Sequence, residues 1–241
     1  KNGNFSAHIH LQEIREEVTA VRNDEGLTPI QYCSKKGLFD NSTVAAHCVW
    51  VDAEDTRILS EKSVGVAHNP ISNMILASGI CPVAELRSLG VNVGIGIDGA
   101  GSNDSQDMLQ SIKITPLLQR VKKLQATALS SRDTFHMATI EGAKVLGVEK
   151  DLGSLEEGKR ADFVILDGDS PVLANIHDPF QAVVYCAGKT EVKEVWVDGE
   201  NIFKDGKVTN VSTYEVVKHS KSQAVKLVEA AGLSNLSTLK N

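Results

Sequence analysis

Four side chains able to bind a metal or move a proton stand at the ends of four short runs of small and β-branched residues. They are His10 in FSAHIH, His47 in TVAAHCV, His68 in SVGVAH and Asp98 in VNVGIGID. A neutral imidazole is a good ligand for zinc or ferrous iron, and a carboxylate joins such a set as ligand or proton acceptor. Glu13 follows His10 as H-x-x-E. A carboxylate there is placed to carry protons beside a metal; alone, the pair could equally be a His and a Glu on a polar loop. His8 and His10 read as H-x-H and point the same way on a strand, so they offer a two-histidine metal motif, with an interior His8 as the alternative. Asp98, closing so apolar a run, needs a metal or a cation as partner, unless Asp98-Gly99 is simply a turn. His47 reads as a ligand, as a group that hydrogen-bonds an attacking water, or as a core histidine bonded to backbone. His68 opens HNPISN, where Asn69 before Pro70 is pushed away from helix. Ser72 and Asn73 can line that loop or merely cap it. Cys48 lacks a base and an orienting group and reads as a packed thiol. His136, His177 and His219 are assigned no chemistry.

The elements that must position these groups alternate. Strand-like runs near 5–10, 43–49, 63–68 and 91–98 are separated by helical patterns over 11–22, 29–37, 52–61 and 81–90. Continuous apolar runs fit strands buried on both faces, and the alternation fits parallel strands joined by crossover helices. Chemistry at the C-terminal ends of successive strands is how a (β/α) barrel builds its site, and the chain holds half of such a barrel. Gly37 and Gly90 fall where left-handed helix caps are needed. A polar loop, GAGSND, leads to a helix over 105–125 that Pro116 is expected to kink. Ser131 is read as the N-cap of a helix reaching Gly147. Beyond it, short strands with Asp198-Gly199 and Asp205-Gly206 turns predict a small β module, and 212–233 a C-terminal helix.

A net charge of −6 and a pI near 5.7 over 241 residues exclude a nucleic-acid or anionic-membrane partner as the expected one. Nothing approaches the roughly 18 apolar residues of a membrane span. Four cysteines without a CxxC pair read as reduced thiols of a cytoplasmic protein. KNGNFSAHIH carries no signal region and no initiator Met, and it reads as a cut start.

Taken together, HIHLQE, AAHCVW, HNPISNMILASGICPV, GIGIDGAGSNDSQDM, ATIEGAKVLG and LGSLEEGKRADFVILD resemble the amidohydrolase superfamily. The nearest resemblance is to its S-adenosylhomocysteine/methylthioadenosine deaminase and chlorohydrolase-like branch, related to cytosine and guanine deaminases. The resemblance implies an α/β fold in which 1–149 form strands five to eight of a (β/α)8 barrel. It makes 150–208 part of a composite β-sandwich, with 209–241 a helix and tail. It implies that His10 and Asp98 bind one divalent metal, zinc first and iron second. It makes Glu13 the proton shuttle, His47 the histidine that contacts water and substrate, and Asp98 the acceptor of the water's proton. His68, Ser72, Asn73, Ser102 and Asn103 become substrate-binding loop residues. Ile97 stands where relatives often carry Thr, so a hydroxyl beside Asp98 is lost.

The implied reaction is hydrolytic deamination of a purine, pterin or related nucleoside with release of ammonia. The alternatives are a triazine chlorohydrolase or aminohydrolase using the same site, and an inactive fragment lacking the N-terminal H-x-H half. A small heterocyclic substrate and a homo-oligomer are expected, with no nucleic acid and no membrane. Four strands of a barrel leave two open edges, so the chain alone is expected to self-associate or fold incompletely.

Overall fold

The computed structural model describes residues 6–175 and 177–233. These divide into two compact units. One runs to Arg160 and resumes over Asp167–Glu191; the other comprises Ala161–Leu166 and the chain from Val192.

The first unit is an α/β fold on a four-stranded parallel sheet, ordered β1 (Ala7–Leu11), β2 (Thr43–His47), β3 (Gly65–His68) and β4 (Val93–Ile95). Every neighbouring pair is parallel, with Leu11 opposite His47 and His68 opposite Ile95. Among the described residues β1 and β4 each have one partner strand, which leaves both edges of the sheet open. All five residues of β2 are buried, as a strand covered on both faces requires. β4 is shorter than its apolar run: pairing ends at Ile95, although the Gly96 N–H still donates to the His68 carbonyl at 2.8 Å. Asp98 therefore stands in the loop beyond the strand rather than closing it.

Helices cover the sheet, and their starts are written locally. α1 (Arg15–Glu25) carries Glu16 and Glu17 in its first turn, where the macrodipole favours anions, and ends at Gly26 with φ 70°. α2 (Pro29–Lys35) and α3 (Ala53–Glu61) open with capping boxes, Thr28/Gln31 and Asp52/Asp55. α4 (Pro70–Ile75) and α5 (Val83–Ser88) are single short helices between β3 and β4. α6 (Met108–Lys123) is capped by Asp107 and runs through Pro116 without ending. The helix expected to reach Gly147 is two: α7 (Ser131–Met137) and α8 (Ile140–Leu146). Its cap is Ser130, not Ser131, with Oγ accepting from the Asp133 N–H at 3.0 Å. The core joins strand and helix residues, among them Ile30, Leu59, Val66, Leu86 and Val93, all fully buried. β3 and β4 bring α8 close by using glycine: a Cβ on Gly65 would lie 3.0 Å from the Val145 Cα, and one on Gly94 3.0 Å from the Gly142 Cα.

The second unit is an antiparallel sheet, β5 (Phe163–Leu166), β6 (Val192–Val197), β7 (Glu200–Lys204) and β8 (Lys207–Val208), in chain order. Both expected turns have positive φ at both central residues, 52° and 80° at Asp198-Gly199 and 45° and 80° at Asp205-Gly206. That is the geometry the strand twist of a tight hairpin asks for. A helix, Thr213–Ala230, follows with Ser212 as its cap. The β module is therefore not the continuous stretch 150–208: Asp167–Glu191 belongs to the first unit. Of the tail expected over 209–241, residues 234–241 lie outside those described. Among the described residues no helix is long and apolar enough to cross a membrane.

Candidate metal and proton-transfer site

The sheet register places the ends of β1 and β2 side by side, and the His10 and His47 rings stack with centroids 5.3 Å apart. His47 and Cys48 both take left-handed backbone, φ 72° and 47°, and the Cys48 N–H donates back to the Leu11 carbonyl at 3.0 Å. Non-glycine residues adopt that region at a cost, so the surroundings must hold them there. The turn sends the His47 ring, itself fully buried, across the strand ends. Its Nδ1 donates to Asn73 Oδ1 at 2.8 Å, which leaves the lone pair on Nε2. Nε2 lies 3.7 Å from Glu13 Oε2 and 3.9 Å from Asp98 Oδ2, and it is buried without a hydrogen bond.

Asp98 is fixed as tightly, with φ 61°. Its Oδ2 accepts from Ser72 Oγ at 2.6 Å and Ser102 Oγ at 2.9 Å, and its Oδ1 from the Gly99 N–H at 2.8 Å. Burial alone would raise its pKa, but Ser72, Gly99, Ser102 and His47 together hold it below the usual carboxylate range. Two serine hydroxyls thus serve the carboxylate although Ile97 brings none. The loop behind it is pinned by Asn103 Nδ2 donating to the Ile97 carbonyl at 2.8 Å and Gln106 Nε2 to the Asp98 carbonyl at 3.2 Å. Glu13 spends Oε1 on the Ser78 hydroxyl at 2.9 Å, so Oε2 is the oxygen that faces His47.

His10, His47 and Asp98 each offer a ligand atom within 4.8 Å of the other two. Two imidazole nitrogens and one carboxylate oxygen are a donor set suited to zinc or iron, and catalytic zinc keeps three protein ligands and one open position. The unbonded Nε2 of His47 points into this set, so the residues present fit a divalent ion. His8 is not part of the cluster; it lies exposed beside Val44 of β2.

Residues 1–202 match the model of the amidohydrolase family. The chain belongs to that family. This amidohydrolase is 43% identical over 222 residues to a 5′-deoxyadenosine deaminase of Methanopyrus kandleri, covering 92% of this chain and 51% of that protein. It superposes with a TM-score of 0.88 and 30% identity on an adenosine deaminase of Xanthomonas campestris with bound zinc, covering 91% of this chain and 50% of that one. An atrazine chlorohydrolase of Arthrobacter aurescens, complexed with zinc, gives a TM-score of 0.83 at 25% identity over 89% of this chain and 48% of its own. The chain spans about half the length of the proteins it matches.

The residues expected to line the substrate loop fall into two groups by burial in this amidohydrolase. His68, Ser72, Asn73 and Asn103 are buried. Ser72 donates to Asp98, Asn73 accepts from His47 with its Oδ1, Asn103 donates to the Ile97 carbonyl, and the half-buried Ser102 donates to Asp98. The Asn73 Nδ2 is buried without a partner among the described residues. Ser78 and Gln106 hold the site too, yet nothing in their type or spacing marks them.

His68 has neither ring nitrogen bonded, and burial, with lesser contributions from His47 and Lys122, pushes its pKa down to about 3. Unfolded, it titrates near 6.5. Between these values the unfolded chain binds a proton that the native one refuses, so His68 costs stability as pH falls from about 6.5 toward 3, with a limiting slope of about 1.4 kcal/mol per pH unit. Urea melts across this range should show the chain losing stability relative to His68→Gln as pH drops; parallel curves would refute the assignment.

Proposed function

We propose that this chain carries the strand-five-to-eight half of the barrel of a metal-dependent deaminase acting on an adenosine-type nucleoside. The observation that carries the reading is the convergence of His10, His47, Asp98 and the free oxygen of Glu13 at the C-terminal ends of parallel strands. The names of the relatives support the nucleoside. His10 and Asp98 would hold the ion, zinc being its first identity, and His47 Nε2 faces Asp98. A divalent ion bound there would supply a water that ionises near neutral pH.

The chain's own residues do the rest. Asp98, kept ionised by its two serines, takes a proton from the attacking water. Glu13 Oε2 delivers a proton to the ring nitrogen next to the carbon attacked. His47, buried and fixed by Asn73, offers its Nε2 lone pair to a hydrogen of the attacking water and orients it. The exocyclic amine takes the proton held by Asp98 and leaves as ammonia, while the added hydroxyl returns its remaining proton to Glu13 and becomes the carbonyl. The open edges of β1 and β4 fit this reading, in which pairing with further strands or a second copy completes the barrel.

The test is a panel of adenosine, 5′-deoxyadenosine and atrazine, assayed for ammonia and chloride. Ammonia from the nucleosides is expected. Chloride from atrazine alone would favour the second reading, which the likeness to the chlorohydrolase supports. Neither product from zinc-loaded protein would overturn both for this chain.

A further inference from the structure

Between His10 and Glu13 lies Gln12, a residue the H-x-x-E spacing treats as filler. It is fully buried, and its backbone is left-handed at φ 53°. Every polar atom it owns is engaged. Its Nε2 donates to the Trp50 carbonyl at 2.6 Å and to Asp55 Oδ2 at 2.9 Å, and its Oε1 accepts from the Ile30 N–H at 3.0 Å. Its carbonyl accepts from the N–H groups of Val49 and Trp50, each at 3.0 Å, and its own N–H donates to Glu17 Oε1 at 3.0 Å. Glu17 closes the turn by taking the Glu13 N–H on its other oxygen at 3.1 Å. Asp55 is itself held, accepting from the Thr28 hydroxyl and from the Asp52 N–H.

These bonds run from the end of β1 to the starts of α2 and α3 and to the segment that follows His47. We propose that Gln12 is a positioning residue: it sets the separation between the β1 end, which carries His10 and Glu13, and the β2 end, which carries His47. The inference rests on reading His10, His47 and Asp98 as a metal site. It deepens that reading by naming what keeps donors from two different strands within one ion's reach. An amide is required because the position must donate twice and accept once. A leucine does neither, and a glutamate sets one carboxylate against another. Groups that orient metal ligands from behind typically change affinity about 10- to 100-fold when removed.

The test uses the chain as it stands and zinc as the probe, with affinity read by competition against a chelator well below the melting temperature. Gln12→Leu and Gln12→Glu should each weaken zinc about 10- to 100-fold. Leu59→Val, a core change that removes none of these bonds, should lower the melting temperature and leave the affinity alone. Gln12→Glu, which keeps the side chain's length, serves if Gln12→Leu does not fold. Asp55→Asn placed in the Gln12→Glu background restores an amide–carboxylate pair with its ends exchanged and should recover part of the loss. Zinc affinity in the Gln12 variants equal to that of Leu59→Val would overturn the proposal. Asp98→Asn separates the two readings: if it loses zinc while the Gln12 variants keep it, only the positioning role fails. If Asp98→Asn binds zinc as tightly as the unchanged chain, the metal site fails and the positioning role with it.

Discussion

Asp98→Asn is expected to abolish both zinc retention and deamination, with turnover down about 10³- to 10⁴-fold, the scale on which losing a positioned proton acceptor is felt. The substitution keeps the size of the side chain. It removes the charge and replaces one acceptor oxygen with a donor, so the side chain can no longer accept from the two serine hydroxyls on one side and from the Gly99 N–H on the other. The fold should lose far less, about 1 to 3 kcal/mol for hydrogen bonds left unmade. Elemental analysis, a coupled ammonia assay and a urea melt on one preparation separate these effects. Turnover within tenfold of the unchanged protein would remove Asp98 from the chemistry.

Glu13→Gln should cost nearly as much in rate and almost nothing in metal. Glu13 stands outside the set of three close donors, and only its Oε2 faces His47. An amide can still accept from Ser78, so the side chain should stay in place while losing the proton it would deliver. A fall in kcat of about 10²- to 10⁴-fold with KM and zinc content unchanged is the expected pattern. A fall in zinc content instead would make Glu13 a ligand and redraw the site.

The convergence of His10, His47 and Asp98 was legible because strand ends concentrate chemistry, and the strands announce themselves as short apolar runs between helices. The two Asp-Gly turns are local signals, and local signals survive in sequence. What failed to show is directional or distant. Residue type says that Ser72, Asn73 and Asn103 can form hydrogen bonds, but not that they turn inward, Ser72 and Asn73 to Asp98 and His47 and Asn103 to the Ile97 carbonyl. Asp167–Glu191 joins the first unit through contacts such as Arg120 Nη2 donating to the Tyr185 hydroxyl at 2.5 Å across 65 positions of sequence, and no spacing rule reaches that far. Gln12 was hidden in a motif whose named positions drew all the attention.

The left-handed backbone at Gln12, His47, Cys48 and Asp98 has a consequence for how the protein can change. Each of these residues sits where glycine would be more comfortable, at a cost of about 1 to 2 kcal/mol per position. Four of the left-handed non-glycine positions of the first unit therefore lie at the C-terminal end of the parallel sheet, in or beside the candidate site. Variants selected for heat resistance alone would find easy gains there and would lose function before they lost the fold. A library ranked by melting temperature and then by turnover would show the two orders running in opposite directions at these four positions.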